Sequence, residues 1–306
     1  MDILQWVVAA GEEGLRLDAF LAGHLSSLVP SLSRREIAEL ITARRVRVNG
    51  RPSKKGERVC AGDTVTAPAM LPFPANAALP IRVVYAEDTL VVLDKAAGIP
   101  SIALRHSETD TVANFLAARF PETVTAGPRP LECGLLQRLD TATSGLLLAA
   151  RTPDAYASLR RQLHARTVEK QYLAVVEGHL HGSGQVTARL VPSGPRGRHM
   201  RVTADGQGQE ANTAYVPVAA SDRYTLLRIT ITTGVRHQIR VHLAALGHPI
   251  VGDAHYGAAH GASRLYLHAA ALAFTSPATG QRAHCTSPAP QEFAALVKRM
   301  QGMVEG

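Results

Sequence analysis

The sequence predicts an α+β fold, with a small mixed unit in front of a larger, mostly antiparallel mixed-sheet domain, on three observations. Its 306 residues exceed the roughly 100–200 of a typical domain. The stretch 71–80 holds three prolines and little periodicity, which reads as a semi-extended linker. From residue 81 onward, strand-like segments outnumber helical ones and seldom alternate with them, which disfavours a doubly wound parallel sheet. The expected division is 1–70, a linker at 71–80, and 81–306.

In the front unit, Leu15, Leu17, Phe20 and Leu21 recur at helical spacing and predict a helix over 15–24. Ser33, with Glu36 three residues on, forms a capping box for a helix over 34–43. The stripe of Ile37, Leu40 and Ile41 turns inward and leaves Arg34, Arg35, Arg44 and Arg45 to solvent. Val46-Arg-Val alternates as a short strand, Asn49-Gly50 is a strong hairpin signal, and Gly62-Asp63 turns into a strand at 64–66.

Beyond the linker, strands are expected at 81–85, 90–93, 135–136, 146–150, 172–176, 186–190, 213–219 and 226–232. Helices fit best at 111–119, 154–165, 236–246 and 290–301. The polar, glycine-rich and basic stretch 194–208 reads as a mobile loop.

Hydrophobic residues make up 46% and charged residues 19%, an ordinary globular mixture that excludes long disorder. The longest apolar runs fall far below the roughly 20 residues of a membrane span. Asp2 stands where a signal peptide carries positive charge, so a cytoplasmic protein is expected. Three scattered cysteines suggest neither a disulfide framework nor a zinc knuckle. Lys plus Arg outnumber Asp plus Glu by 33 to 25, and only five of those cations are lysine. Arginine grips phosphate bidentately and stacks on bases, so this balance leans toward nucleic acid.

The sharpest segment is 135–150, Leu-Leu-Gln-Arg-Leu-Asp-Thr-Ala-Thr-Ser-Gly-Leu-Leu-Leu-Ala-Ala. Asp140 lies between apolar flanks, and a carboxylate drawn toward a core needs a cation and local donors. Thr141, Thr143 and Ser144 can supply the donors, while Gly145 permits a tight return. The bland reading is an Asx-type turn. The whole segment, however, resembles the His-Arg-Leu-Asp-x-x-Thr-Ser-Gly motif of RluA-type pseudouridine synthases, with Gln137 in the histidine place. Residues 169–178, Glu-Lys-Gln-Tyr-Leu-Ala-Val-Val-Glu-Gly, look like that family's tyrosine motif. Residues 233–257, from Thr-Gly-Val-Arg-His-Gln-Ile-Arg to Gly-Asp-Ala-His-Tyr-Gly, are similar to its third motif. The front unit is similar to the S4 RNA-binding domain through Leu17, Asp18 and Leu21, Ser33-Arg34, and Val46, Val48, Asn49 and Gly50.

The resemblance implies isomerisation of uridine to pseudouridine, with no atoms gained and no redox change, and hence no cofactor or metal. Asp140 takes the role of the carboxylate at the ribose, as nucleophile at C1′ or as base toward the 2′ position. Tyr172 is to stack on the uracil and take the C5 proton. Arg240 is to pair with Asp140, on a helix where Arg236, one turn away on the same face, meets phosphate. Arg138 is to fill the space left by the extruded base, with His237 and Gln238 as further RNA contacts. Arg34, Arg35, Arg45, Lys54 and Lys55 are the contacts expected of the front unit. The partner expected is RNA, ribosomal RNA of the large subunit, bound by a monomer away from any membrane. Three positions depart from the family pattern: Gln137, Val235 before Arg236, and Ala96 after Lys95. They leave open a second reading, a non-catalytic RNA-binding ribosome-assembly protein on the same scaffold. A third reading, a hydrolase with Asp140 as nucleophile, lacks a second carboxylate with a matching motif. Six of the 13 histidines fall between His237 and His268, but no metal-ligand spacing accompanies them.

Overall fold

The computed structural model describes residues 3–25, 34–68, 74–104, 108–257 and 262–302. They fall into two compact units, Met1–Pro74 with Ala103–Thr109, and Ala75–Ile102 with Asp110–Gly306.

In the front unit, β1 (Ile3–Val7), α1 (Leu17–Leu25), α2 (Arg34–Thr42), β2 (Arg47–Val48), β3 (Arg51–Pro52) and β4 (Thr64–Pro68) follow in order. The four strands form one sheet in the order β1-β4-β2-β3. Phe20, Leu21, Ile37, Val46 and Val65 close its core. Asn49 and Gly50 both take positive φ, +51° and +76°, and so make the two-residue turn that joins β2 to β3. Leu15 departs from the expected stripe: α1 starts only at Leu17, and Leu15 stays exposed before it. Ser33, the expected cap of α2, lies outside the described residues. Arg34, Arg35, Arg45, Lys54 and Lys55 are all exposed.

The second unit is built on ten strands: β5 (Ile81–Ala86), β6 (Leu90–Lys95), β7 (Ser144–Ala150), β8 (Glu169–Glu177), β9 (Gly184–Ser193), β10 (His199–Thr203), β11 (Gln209–Ala220), β12 (Tyr224–Ile231), β13 (Leu267–Thr275) and β14 (Arg282–Thr286). Four helices accompany them: α3 (Val112–Arg119), α4 (Pro153–His164), α5 (Gln238–Ala245) and α6 (Gln291–Gly302). The sheet runs β10-β9-β11-β12-β8-β13-β7-β6-β5, with β14 beside β13. Its pairings are antiparallel except β13 with β7. Every residue of β7 is buried, which explains a run without alternation. Thr152 caps α4 by accepting from the Ala155 N–H, and Ala155 and Leu159 pack on Leu146, Leu148 and Phe274.

Three sequence expectations need correction. Residues 194–208 are not simply a loop, since β10 forms there and pairs with β9 from His199–Ser193 to Thr203–Arg189. Residues 135–136 make no strand of their own; Leu135 bridges Ala149, and the Leu136 N–H donates to the Leu148 carbonyl. Finally, β13 was not expected at all, because Leu-His-Ala-Ala-Ala-Leu-Ala-Phe-Thr is alanine-rich. Its place between β8 and β7, where both neighbours offer backbone partners, overrides that weak strand propensity.

Gly145 opens β7 at φ +113°, and a Cβ there would lie 2.2 Å from the Ala269 carbonyl oxygen. Gly145→Ala is therefore expected to destabilise the protein by about 2–4 kcal/mol, read as a lowered urea midpoint. An unchanged midpoint would show that β13 can move aside.

Candidate active site

Asp140 lies on the short connection into β7, and that connection is clamped from both sides. The Leu139 N–H donates to Ser101 Oγ at 3.0 Å, and Ser101 Oγ donates to the Leu139 carbonyl at 2.8 Å. The Thr141 carbonyl accepts from the Gly98 N–H at 2.7 Å and from Lys95 Nζ at 3.1 Å. Lys95 is fully buried, and burial pulls its ammonium down to about 7, against the stabilising charge of Asp140. The Thr143 N–H closes the turn on the backbone carbonyl of Asp140. The Ser144 hydroxyl, one of those expected to serve the carboxylate, is used elsewhere: it meets His268 Nδ1 at 3.0 Å and accepts from Arg264 at 2.7 Å.

The carboxylate instead meets Arg240, as the sequence pattern suggested. Arg240 Nη1 donates to Asp140 Oδ2 at 2.8 Å. The same guanidinium forks onto Asp253, with Nε to Oδ2 at 2.7 Å and Nη2 to Oδ1 at 2.8 Å. The Arg240 side chain is 6% exposed and that of Asp253 0%, whereas Asp140 keeps 24%. Only the carboxylate assigned to chemistry is open. Burial works against the guanidinium's charge, but hydrogen bonds and charge from Asp253, with Asp140 behind them, hold Arg240 above its ordinary range. The guanidinium also lies over the Tyr256 ring, 5.2 Å from its centroid.

Tyr172, on β8, pairs across the sheet with Ile229 and Ala269 and is buried. Burial, and then the charge of Asp140, push its phenol above its ordinary range, so the resting group is neutral.

Two expectations about the third motif are corrected. The helix begins at Gln238, so Arg236 precedes it and does not share a helical face with Arg240. Arg236 is exposed, and its guanidinium donates to the carbonyls of Gly197 and His199 beside β10. Gln238 is not displayed at the surface, as an RNA contact would need to be. It is buried, accepts from Thr233 Oγ1 and the Val235 N–H, and donates to the Asn212 carbonyl and Thr213 Oγ1. This clasp fixes the start of α5, helped by buried Lys170, whose Nζ donates to the Thr233 carbonyl at 2.8 Å. His237 sits between them at φ +55°, a left-handed conformation that costs on the order of 1–3 kcal/mol in a residue other than glycine. Its Nε2 lies 3.9 Å from Asp140 Oδ1. Arg138 is exposed beside the turn that carries Asp140, with no ion-pair partner among the described residues. Asp253 and Tyr256 were missed as site residues, although both stand in the stretch 233–257 that carries the motif. Their signal was a motif position without an assigned task.

Removing Arg240 would leave two carboxylates facing each other, one of them fully buried. Arg240→Met is expected to cost about 3–5 kcal/mol of stability, measured by denaturant unfolding. A loss under about 1 kcal/mol would mean that solvent already screens the pair.

The RNA pseudouridylate synthase family model matches residues 89–245, and the S4 domain model matches residues 15–65. A "Ribosomal large subunit pseudouridine synthase D" of Xanthomonas campestris is 33% identical over 97% of this chain and 92% of its own length. An uncharacterized RNA pseudouridine synthase of Mycobacterium bovis is 35% identical over 96% of this chain and 97% of its own. Among solved structures, the human RNA pseudouridylate synthase domain containing protein 1 superposes with a TM-score of 0.56 at 25% identity. That match covers 76% of this chain and 98% of the human one. With its sequence, its sheet and its length accounted for in this way, the chain belongs to the RNA pseudouridine synthase family, in the RluA-type group with an S4 domain.

Proposed function

We propose that this enzyme isomerises specific uridines of large-subunit ribosomal RNA, with Asp140 acting on the ribose of an extruded nucleotide. The reaction breaks the N1–C1′ bond, joins C1′ to C5, releases the C5 proton and leaves a proton on N1. One observation carries the assignment: a part-exposed carboxylate tied to a buried guanidinium beside a buried tyrosine. The names of the relatives from Xanthomonas campestris and Nitrosomonas europaea, both large-subunit enzymes, support the choice of RNA.

Arg240 keeps Asp140 ionised when RNA displaces water from the site, because a nearby cation favours the charged form most where the dielectric is low. Its fork onto Asp253 spends two donor positions on fixing the guanidinium plane, so Asp140 is met from one direction and Oδ1 is left to the substrate. Tyr172 first serves as a neutral surface for the uracil ring. Once Asp140 has bonded to the sugar or taken its proton, one of the two influences that keep the phenol protonated is gone; the phenol gives its proton to the detached uracil, which ends with a proton on N1, and the Tyr172 phenolate then takes the C5 proton. Base extrusion is required because the ribose carbons of a stacked nucleotide are out of reach of an enclosed site. Arg138 takes the vacated place in the RNA, and Arg236 lies nearby for phosphate. The chemistry balances without electrons or a Lewis acid, so the enzyme works without cofactor or metal, as a cytoplasmic monomer.

With large-subunit RNA tritiated at uridine C5, the wild type is expected to release tritium, and Asp140→Asn to release none while still binding. Release at the wild-type rate from that variant would remove Asp140 from the reaction. Tyr172→Phe should bind RNA but turn over at least 100-fold more slowly, within the roughly 10²–10⁴-fold range of a lost general base.

The exposed cations of the front unit neutralise phosphates in this reading. Replacing Arg34, Arg35, Arg45, Lys54 and Lys55 together by Gln should flatten the dependence of log affinity on log salt by about 0.7–0.9 for each phosphate no longer neutralised. An unchanged slope in a filter-binding series would place the RNA anchor elsewhere.

A further inference from the structure

Arg240 satisfies one oxygen of Asp140, and the other faces His237. The imidazole is poorly exposed, its side chain retaining 15% of its accessible surface, and it sits on a left-handed residue that packing holds in place. Tyr256 sets its orientation. The Tyr256 hydroxyl accepts from the Met200 N–H at 2.9 Å and lies 2.7 Å from His237 Nδ1. A hydroxyl has one proton, and His237 Nδ1 is the acceptor that remains for it. The opposite tautomer would leave that proton without an acceptor among the described residues. The imidazole's own proton is therefore on Nε2, the nitrogen that looks toward Asp140 Oδ1 from 3.9 Å. The gap is about 1 Å longer than a hydrogen bond.

We propose that His237 is a positioning residue for Asp140, its Nε2–H aimed by Tyr256 and closing on Oδ1 when a nucleotide fills the site. The closed contact selects which lone pair of the carboxylate meets the ribose. This rests on the uridine-isomerisation reading and adds to it a second anchor. Tyr256 then has two tasks, its ring under Arg240 and its hydroxyl on His237, so one side chain orients both groups that flank the carboxylate.

The arrangement works only with a neutral ring. Several charged or titratable groups face the imidazole: Asp140 from the catalytic turn, Arg240 on α5, Arg236 before it, and His255 and Tyr256 from the segment that follows. His255 is in turn bonded to His199 of β10, with 3.1 Å between the ring nitrogens. Burial lowers the imidazole's affinity for a proton, Asp140 raises it, and Arg240, Arg236 and His255 lower it further, with a net depression. The neutral form thus holds at neutral pH, and the rate is lost as pH falls below the ordinary histidine range. An imidazolium there would leave Asp140 between two cations and weaken its attack.

The test is steady-state tritium release from C5-labelled large-subunit RNA across pH 5–8, with wild type, His237→Leu, His237→Gln and Tyr256→Phe. His237→Leu should lower kcat about 10- to 100-fold with KM little changed. His237→Gln keeps an N–H toward Asp140 and should recover part of that loss. Its rate should also lack the acidic fall of the wild type, because an amide does not titrate. Tyr256→Phe keeps the ring under Arg240 and should fall between wild type and His237→Leu, so the test survives if the leucine variant fails to fold. A wild-type kcat in His237→Leu, or a wild-type acidic fall in His237→Gln, overturns the proposal while the assignment of Asp140 stands. No release from the wild type overturns the isomerisation reading and this proposal with it.

Discussion

A single guanidinium between two carboxylates organises the site. Arg240 gives two nitrogens to Asp253 and one to Asp140, and the three side chains come from segments far apart in the chain. The fork matters because a planar, fixed set of donors can hold one carboxylate in a defined plane and present the remaining N–H in a single direction. A lysine ammonium in the same place would be a point charge with no such direction. Asp253 is wholly buried and Asp140 is not, so the first anchors the cation and the second is displayed by it. Desolvating an arginine is costly, and this site offsets the cost with three charge-assisted hydrogen bonds and an aromatic face.

That chain of ions needs its ends held, and the sheet holds them with buried polar groups. Lys95, Ser101 and Gly98 grip the turn that carries Asp140, all from the end of β6 and the segment that follows it. Gln238 and Lys170 grip the turn that leads into α5. A helix of eight residues has little stability of its own, so the position of Arg240 depends on this clasp more than on helix propensity. The strain at His237 is tolerated for the same reason: the residues on both sides of it are already fixed.

Local chemistry was the part of the structure that could be read in advance. Asn49-Gly50 announced its hairpin because few other dipeptides accept two positive φ angles. Asp140, Tyr172 and Arg240 stood out through long motifs, and the first and last of these meet as the pattern implied. Most of what escaped depended on partners distant in sequence; β10, which folds back on the adjacent β9, is the exception. The strand β13 carries no strand signal in its own residues, and β10 is five residues of mixed polarity that pair because β9 lies alongside. Gln238 reads as an RNA contact only through its place in the third motif, which says nothing of which way the side chain turns. In the structure, its side-chain hydrogen bonds are turned inward. Asp253 escaped because an aspartate in a loop is ordinary until a buried cation is found to face it.

The three departures from the family pattern differ in what they touch. Ala96 contributes its carbonyl, which accepts from Lys95 Nζ at 2.9 Å, and any residue has a carbonyl. Val235 contributes its N–H to Gln238 and packs its side chain against Leu190, Met200 and Val241, so an apolar residue suits the place. Neither alters the ion chain, and the hydrogen bond each makes comes from a backbone group that these substitutions preserve. Gln137 is different, because its Oε1 is buried without a donor among the described residues. An orphaned acceptor of this kind costs about 1–3 kcal/mol. It adjoins Arg138 in sequence and lies three residues before Asp140. The divergence of this chain from the family pattern is therefore borne at the residue next to the exposed arginine, while the carboxylate, its cation and the second carboxylate behind it keep their ion pairs.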